Sequence, residues 1–226
     1  MNRKVFRQRF LQMILLLSMM VTFTSAQAVK IIPRIGVAGG ILFSEDNISA
    51  QANSDQEPGV TSVFGINGGT VFAFKDDYID LSFDGLNYSK PVNGGMDYNM
   101  PNKGWRSELN LTYGHRLREN IFIVAGFRQV EWEESLSVSA DTNQRGSFVG
   151  VSLSNMEQGN TLISFSMAQF FGEFNSPEGS ADAEGVLLRI SWREKGSNDL
   201  WSLKWTQVGT LITDIPFTVG YTYLFY

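Results

Sequence analysis

Cysteine is absent from the 226 residues, histidine occurs once, and only six residues are proline. Without cysteine there is no disulfide, no thiolate metal site and no lipid-anchored cysteine. A single histidine removes most catalytic schemes that depend on imidazole. No stretch reaches the roughly 20 apolar residues a membrane-spanning helix needs. Positive charge is also short, with 18 Lys and Arg against 23 Asp and Glu. That balance argues against nucleic acid as a partner and against a basic patch for anionic lipid. What the chain has in quantity is glycine and aromatic residues, 22 Gly with 17 Phe, 7 Tyr and 5 Trp.

The first residues read as a secretory signal. Arg3, Lys4, Arg7 and Arg9 form a basic start, Phe10 to Val21 is mostly apolar, and Ala26-Gln27-Ala28 offers a small-residue cleavage site. The expected division is a signal peptide over 1–28 and one β domain over 29–226. Removing the four basic residues of that segment takes the formal charge from −5 to −9.

Period-two alternation dominates the remainder. Ile35, Val37, Ile41 and Phe43 share one phase of the first strand. A polar loop from Glu45 to Gly59 leads to Ser62–Phe74, where Phe64, Ile66, Phe72 and Phe74 align. After the turn Lys75-Asp76-Asp77, Ile79, Leu81 and Phe83 alternate with Asp80, Ser82 and Asp84. A Gly/Asn/Pro-rich loop over Lys90–Lys103 precedes Trp105–His115, which sets Leu109, Leu111 and Tyr113 against Arg106, Glu108, Asn110 and Thr112. The turn Arg116–Asn120 leads to a strand from Ile121 to Trp132, whose alternation fails around Gln129, the mark of a bulge or of the membrane boundary. Beyond a loop over Glu134–Arg145 come strands carrying Val149, Val151 and Leu153, then, past Asn155–Asn160, Ile163, Phe165 and Met167. An acidic loop is expected over Asn175–Glu184. Val186, Leu188, Ile190 and Trp192 follow against Arg189, Ser191 and Arg193, then the turn Glu194–Asp199, then Trp201, Leu203 and Trp205 against Lys204. A connection over Gly209–Ile215 leads to the last strand.

The pattern predicts an all-β fold, a transmembrane up-and-down antiparallel barrel of ten strands. Eight strands follow if two weak ones fuse or lie outside the membrane. Connections after the first, third, fifth and seventh strands are long, that after the ninth is shorter, and those after the even strands are short, the asymmetry of barrels with short periplasmic turns and long outer loops. Unpaired backbone groups are too costly in lipid for an open edge, so the sheet must close. Trp105, Trp132, Trp192, Trp201, Trp205, Tyr78, Tyr88, Tyr113 and Tyr223 lie mostly near strand ends and are expected in interfacial girdles.

Asp80, Asp84, Arg106, Glu108, Arg128, Arg189, Arg193 and Lys204 share the polar phase and are expected to form a salt-bridged network in the lumen. With about ten strands the bore is little wider than side chains can fill, so a largely plugged lumen is expected. Two alternatives are a paired-carboxylate site built from Asp80 and Asp84 with Glu108, and a hydrolytic site at the extracellular rim using Glu131, Glu133 or Asp84. His115, beside a short turn and in phase with Leu111 and Tyr113, reads as an interfacial residue. Gly36, Gly39, Gly40, Gly65, Gly68 and Gly69 precede no helix, so they read as space for bulky neighbours or bends and not as a phosphate cradle. Glu45, Asp46, Asp55, Glu57, Glu178, Asp182 and Glu184 read as solvated loop charge, with divalent-cation binding as the alternative. No cofactor is expected.

The final strand places Phe217, Val219, Tyr221, Tyr223 and Phe225 on one face, with Tyr226 one residue beyond. It resembles the aromatic terminal strand of bacterial outer-membrane β-barrels. The segment from Tyr113 to Arg128 is similar to their recurrent strand–turn–strand hairpin, and the whole mature chain resembles the small outer-membrane barrels of Gram-negative bacteria. That resemblance implies residence in the outer membrane, contact with its lipid and lipopolysaccharide, and a monomer. It also implies recognition of Val219, Tyr221, Tyr223, Phe225 and Tyr226 by the barrel-assembly machinery. The leading expectation is a non-enzymatic barrel with a structural, adhesive or narrow-channel role. A soluble periplasmic lipocalin-like barrel, apolar inside and polar outside, is the further alternative.

Overall fold

The computed structural model describes residues 29–46, 59–90, 102–134, 142–176, 179–209 and 212–226. Its ten strands are β1 (Lys30–Asp46), β2 (Gly59–Ala73), β3 (Asp77–Lys90), β4 (Asn102–Arg118), β5 (Ile121–Glu134), β6 (Thr142–Gln158), β7 (Thr161–Ser176), β8 (Gly179–Glu194), β9 (Asp199–Gly209) and β10 (Ile212–Leu224). Each pairs antiparallel with its sequence neighbours, and β1 pairs with β10 to close the barrel. The closing seam runs from Arg34↔Leu224 to Asp46↔Ile212, and the Phe225 amide extends it by donating to the Pro33 carbonyl at 2.9 Å. This is the ten-strand count; the eight-strand alternative falls away.

The apolar phase faces outward through the middle of the wall. Ile35, Phe64, Ile66, Val149, Met167 and Val219 are exposed there, Phe64 to 66%. In water such a surface would drive aggregation, whereas in acyl chains it is matched to its solvent. The ten strands leave no free edge, so every backbone group along the belt finds a partner in the wall. The barrel therefore spans a membrane, and the belt is the reverse of a lipocalin-like exterior. On β7 the belt runs from Ile163 to Phe171, in keeping with the about nine to eleven residues of a tilted transmembrane strand.

One end of the barrel, here the turn end, carries the short connections together with the start of β1 and the end of β10. The other, the loop end, carries the connections after the odd strands and after β9. No bulge lies at Gln129, which leaves the other reading, the membrane boundary: pairing runs unshifted through Gln129↔Leu109 and Gln129↔Arg145. The register shifts lie instead beside the turns, between Arg116 and Arg118 and between Leu153 and Met156, where Asn155 takes a φ of 52°. What changes at Gln129 is the surroundings. Beyond Phe127 and Phe171 the outward positions become Gln129, Glu131, Arg145 and Glu173, while Val130 and Phe174 turn inward and are buried. The strands have left the lipid, and above that level the barrel is built like a water-soluble one.

Three further expectations need correction. The acidic segment Asn175–Glu184 is a continued hairpin, with β7 and β8 paired as far as Ser176↔Gly179. Trp132 points into the lumen, with its ring 6.2 Å from that of Phe174, and Tyr78 also points inward, edge-on to Phe122 at 5.4 Å. Neither belongs to a girdle. At the turn end the girdle is made by Tyr113, Trp192, Trp201, Tyr221 and Tyr223, with Trp201 and Tyr221 in edge contact at 5.1 Å. Trp105 lies on the outer wall over Gly85, where a Cβ would come within 2.4 Å of the indole, so only glycine admits that ring. The side chain of Tyr88 lies outside the described residues.

Candidate functional site

Among the described residues the lumen gathers the buried charged side chains, and it is layered along the barrel axis. At the loop end it is apolar. Phe148, Ala168, Phe170, Phe174, Ala183 and Val208 form one buried cluster; Ala38, Val63 and Leu86 form a second; Trp132 packs on both. Sequence reasoning missed this layer, because it expected the inward phase to be polar throughout. The signal was available in glycine placement. A Cβ at Gly146 or Gly172 would sit 2.7 Å from Phe170 Cζ, and one at Gly126 would sit 2.5 Å from Phe148 Cζ. The glycines of β5, β6 and β7 make the cradle into which the rings lie.

Beneath the rings is a belt of ion pairs. Glu108 Oε2 accepts from Arg106 Nη2 at 2.8 Å and from Arg128 Nη2 at 3.3 Å, and Asn110 Nδ2 donates to Glu108 Oε1 at 2.8 Å. Arg128 also bonds Gln144 Oε1. Lys204 Nζ on β9 reaches Asp84 on β3, and Arg34 on β1 reaches Asp80 on β3 at 2.5 Å. These contacts brace the wall across the bore between strands that are not neighbours. The guanidinium of Arg106 stands 5.8 Å from the ring of Trp132, and that of Arg128 stands 5.7 Å from Phe170. The charged layer thus caps the apolar one through cation–π contacts. Asn67 adds a neutral stitch, accepting from Thr222 Oγ1 and donating to the Val37 carbonyl, both at 3.0 Å.

Of the expected network, Asp80, Asp84, Arg106, Glu108, Arg128 and Lys204 are brought together in ion pairs, and Arg34 joins them although the sequence reading did not name it. Arg193 stands apart at the turn end, bonded to the Tyr226 hydroxyl and with its guanidinium 5.5 Å from that ring. Arg189 lies in the belt with no ion pair or hydrogen bond among the described residues.

On the turn-end side of the belt is a cavity of about 370 Å³. Its floor is Phe148 and Ala168 of the apolar layer, its walls carry Arg34, Asp80, Arg189 and Lys204 with several serines, and it reaches the rim at Asn155, Arg193 and Tyr226. Among the described residues the lumen is thus tightly packed toward the loop end and hollow toward the turn end.

Of the carboxylates of the hydrolytic alternative, Asp84 and Glu131 do not converge. Asp84 is buried in the lumen against Lys204, whereas Glu131 stands on the outer face of β5, accepting from Gln129 Nε2 at 2.7 Å. The side chain of Glu133 lies outside the described residues. His115 is on the outer face at the turn-end rim, as expected, with Nδ1 2.8 Å from Asp77 Oδ1; Tyr113 donates to the same oxygen at 2.6 Å. Those two hydrogen bonds, Tyr113 first, hold the Asp77 carboxyl below the usual carboxylate range. Gly36, Gly40 and Gly65 abut carbonyl oxygens of the adjoining strand, and Gly68 lies under Phe83, so they serve bends and close approaches. Asp182 and Glu184 are exposed on β8. Asp55, Glu57, Glu178 and the side chains of Glu45 and Asp46 lie outside the described residues.

No family model matches the sequence, and no curated protein matches it. Solved structures do. The β domain of the Bordetella autotransporter BrkA is similar at a TM-score of 0.51 with 9% identity, over 87% of this chain and 99% of that one. The outer-membrane protease OmpT from Escherichia coli is similar at 0.45 with 8% identity, over 89% and 98%. Ail, the attachment invasion locus protein of Yersinia pestis, is similar at 0.34 with 10% identity, over 85% and 99%. The fold of this chain is that of an outer-membrane β-barrel.

Proposed function

We propose that the chain is a non-enzymatic integral outer-membrane barrel, closed to through-flow, with a structural role in that membrane. Its turn end faces the periplasm and its loop end the exterior, following the short-turn rule for such barrels. The observation that carries the reading is the packed loop-end half of the lumen, where Leu86, Arg106, Arg128, Val130, Phe170 and Val208 are all fully buried. A path for ions or solutes would have to displace aromatic rings seated on glycines and break the Glu108 ion pairs behind them. The separation of Asp84 and Glu131 by the thickness of the wall supports the non-enzymatic part.

Residues 1–28 act as the export signal in this reading. The outward face of β10, with Val219, Tyr221, Tyr223 and Phe225, and the following Tyr226 are what the barrel-assembly machinery engages. The wall closes on its own ten strands, which supports a monomer surrounded by lipid and, in the outer leaflet, lipopolysaccharide.

Planar-bilayer recording of the refolded barrel tests the reading. Silence at moderate voltage is expected for the wild type, and a stable unitary conductance above leak would overturn it. A screen of the same preparation for proteolysis and lipid A modification is expected to show no turnover.

A further inference from the structure

We propose that the turn-end cavity is a binding site for a small oxyanion, a phosphate or carboxylate group on a polar solute, with Arg189 as its principal ligand. Among the described residues, Arg34 engages Asp80, Lys204 engages Asp84, and Arg106 and Arg128 engage Glu108. Each carboxylate is already engaged by a cation other than Arg189. The Nε of Arg189 is shielded from solvent with no hydrogen-bond partner, and the side chain lines the cavity. Its cross-strand neighbours are Ser166 on β7 and Lys204 on β9, and its electrostatic neighbours include Arg34 as well as Asp80 and Asp84. A guanidinium whose Nε is shielded from solvent, and whose neighbouring carboxylates are already engaged by Arg34 and Lys204, gains from an anion that joins it.

The geometry of the group selects the class of anion. A guanidinium presents its donors as a planar fork that matches two oxygens of a phosphate or carboxylate, and it gains most where water is scarce. Around it the cavity offers hydroxyls from Ser82, Ser164, Ser166 and Ser191. These can donate to the remaining oxygens of the head group or to a hydroxylated body. The volume exceeds what a bare phosphate fills and lies at the lower end of the range for small organic ligands, about 300–1,000 Å³. Among the described residues the cavity opens at the turn end, past Arg193 and Tyr226, so the solute comes from the periplasmic side.

Isothermal titration of the refolded full barrel with inorganic phosphate, at constant ionic strength, tests the site. Saturable one-site binding is expected for the wild type. Arg189→Gln should weaken it by roughly tenfold or more, the worth of a hydrogen-bonded charge, while Arg116→Gln, at the rim outside the cavity, should leave it unchanged. Absence of saturable binding, or equal affinity in Arg189→Gln, would overturn the proposal. In phosphate-free buffer Arg189→Gln should melt at the same temperature as the wild type or higher, because a repelling cation has been removed. A marked fall would make Arg189 a structural residue and sink the site. Should the variant not refold, phenylglyoxal labelling of the wild type decides: phosphate should slow modification of Arg189 and not of Arg116, and an unaltered rate at Arg189 would overturn the assignment.

Discussion

Arg106 and Glu108 project from the same face of β4, two residues apart, with Nη2 of the first 2.8 Å from Oε2 of the second. Arg128 on β5 completes the arrangement from the neighbouring strand. One carboxylate thus engages two buried guanidiniums, and its removal takes an ion pair from each. Glu108→Gln is expected to destabilise the barrel by about 3–5 kcal/mol. Urea unfolding of the refolded protein in detergent, followed by tryptophan fluorescence, measures this; a loss below 1 kcal/mol would contradict the central place given to Glu108.

Asp84 and Lys204 are 120 positions apart and join β3 to β9 through the bore. Because no backbone ladder links those strands, the pair is a cross-brace. A double-mutant cycle with Asp84→Asn and Lys204→Met should return a coupling energy of about 0.5–3 kcal/mol. Additive single losses would show that the brace does not act as a pair.

Phe170 is fully buried, with its ring tip against Gly146 and Gly172. Phe170→Ala should cost about 3–5 kcal/mol through the cavity it leaves. Gly172→Ala should also destabilise, by about 1–3 kcal/mol, because the new methyl meets both the ring and the Arg145 carbonyl. Equilibrium unfolding checks both. If Gly172→Ala proved neutral, the tight seat of the ring would be refuted.

Most of the wall was legible from period-two alternation, and β3 shows why. Ile79, Leu81 and Phe83 face lipid while Asp80, Ser82 and Asp84 face the bore, so polarity and direction coincide. On β5 they part company: Gln129 and Glu131 point out, Val130 and Trp132 point in, and the phase never changes. A strand that passes from lipid into water keeps its geometry and inverts its chemistry, which one-dimensional alternation records only as a failed pattern. The hairpin over Asn175–Glu184 was misread as a loop for the same reason, since Glu173, Asp182 and Glu184 are outward residues above the belt. The ion pairs themselves were beyond reach of the sequence. Phase places Arg189 and Lys204 in one bore, but only the three-dimensional register decides which cation meets Asp84. Arg34, on a strand whose other inward residues are small or apolar, gave no charge pattern to read.

Asp77 provides a pH dependence at the turn-end rim. Its carboxyl is more acidic in the folded barrel than in the unfolded chain, so the bonds from Tyr113 and His115 stabilise fully above the unfolded carboxylate range and fade as pH falls through the folded value. Wild type should therefore exceed Asp77→Asn in stability at neutral pH, by less than about 1 kcal/mol because both partners are partly exposed. The gap should close as pH falls below the ordinary carboxylate range. Melting temperatures of the two proteins across that range give the answer, and a gap that persists in acid would contradict the assignment.

If the proposed closure holds, the hollow that ends against Phe148 and Ala168 makes this molecule a cup set in a membrane, not a pipe through it. A guest would then leave by the door it came in, and its occupancy at equilibrium would register the composition of a single compartment. A voltage across the bilayer would tug on such a guest without carrying it to the far side.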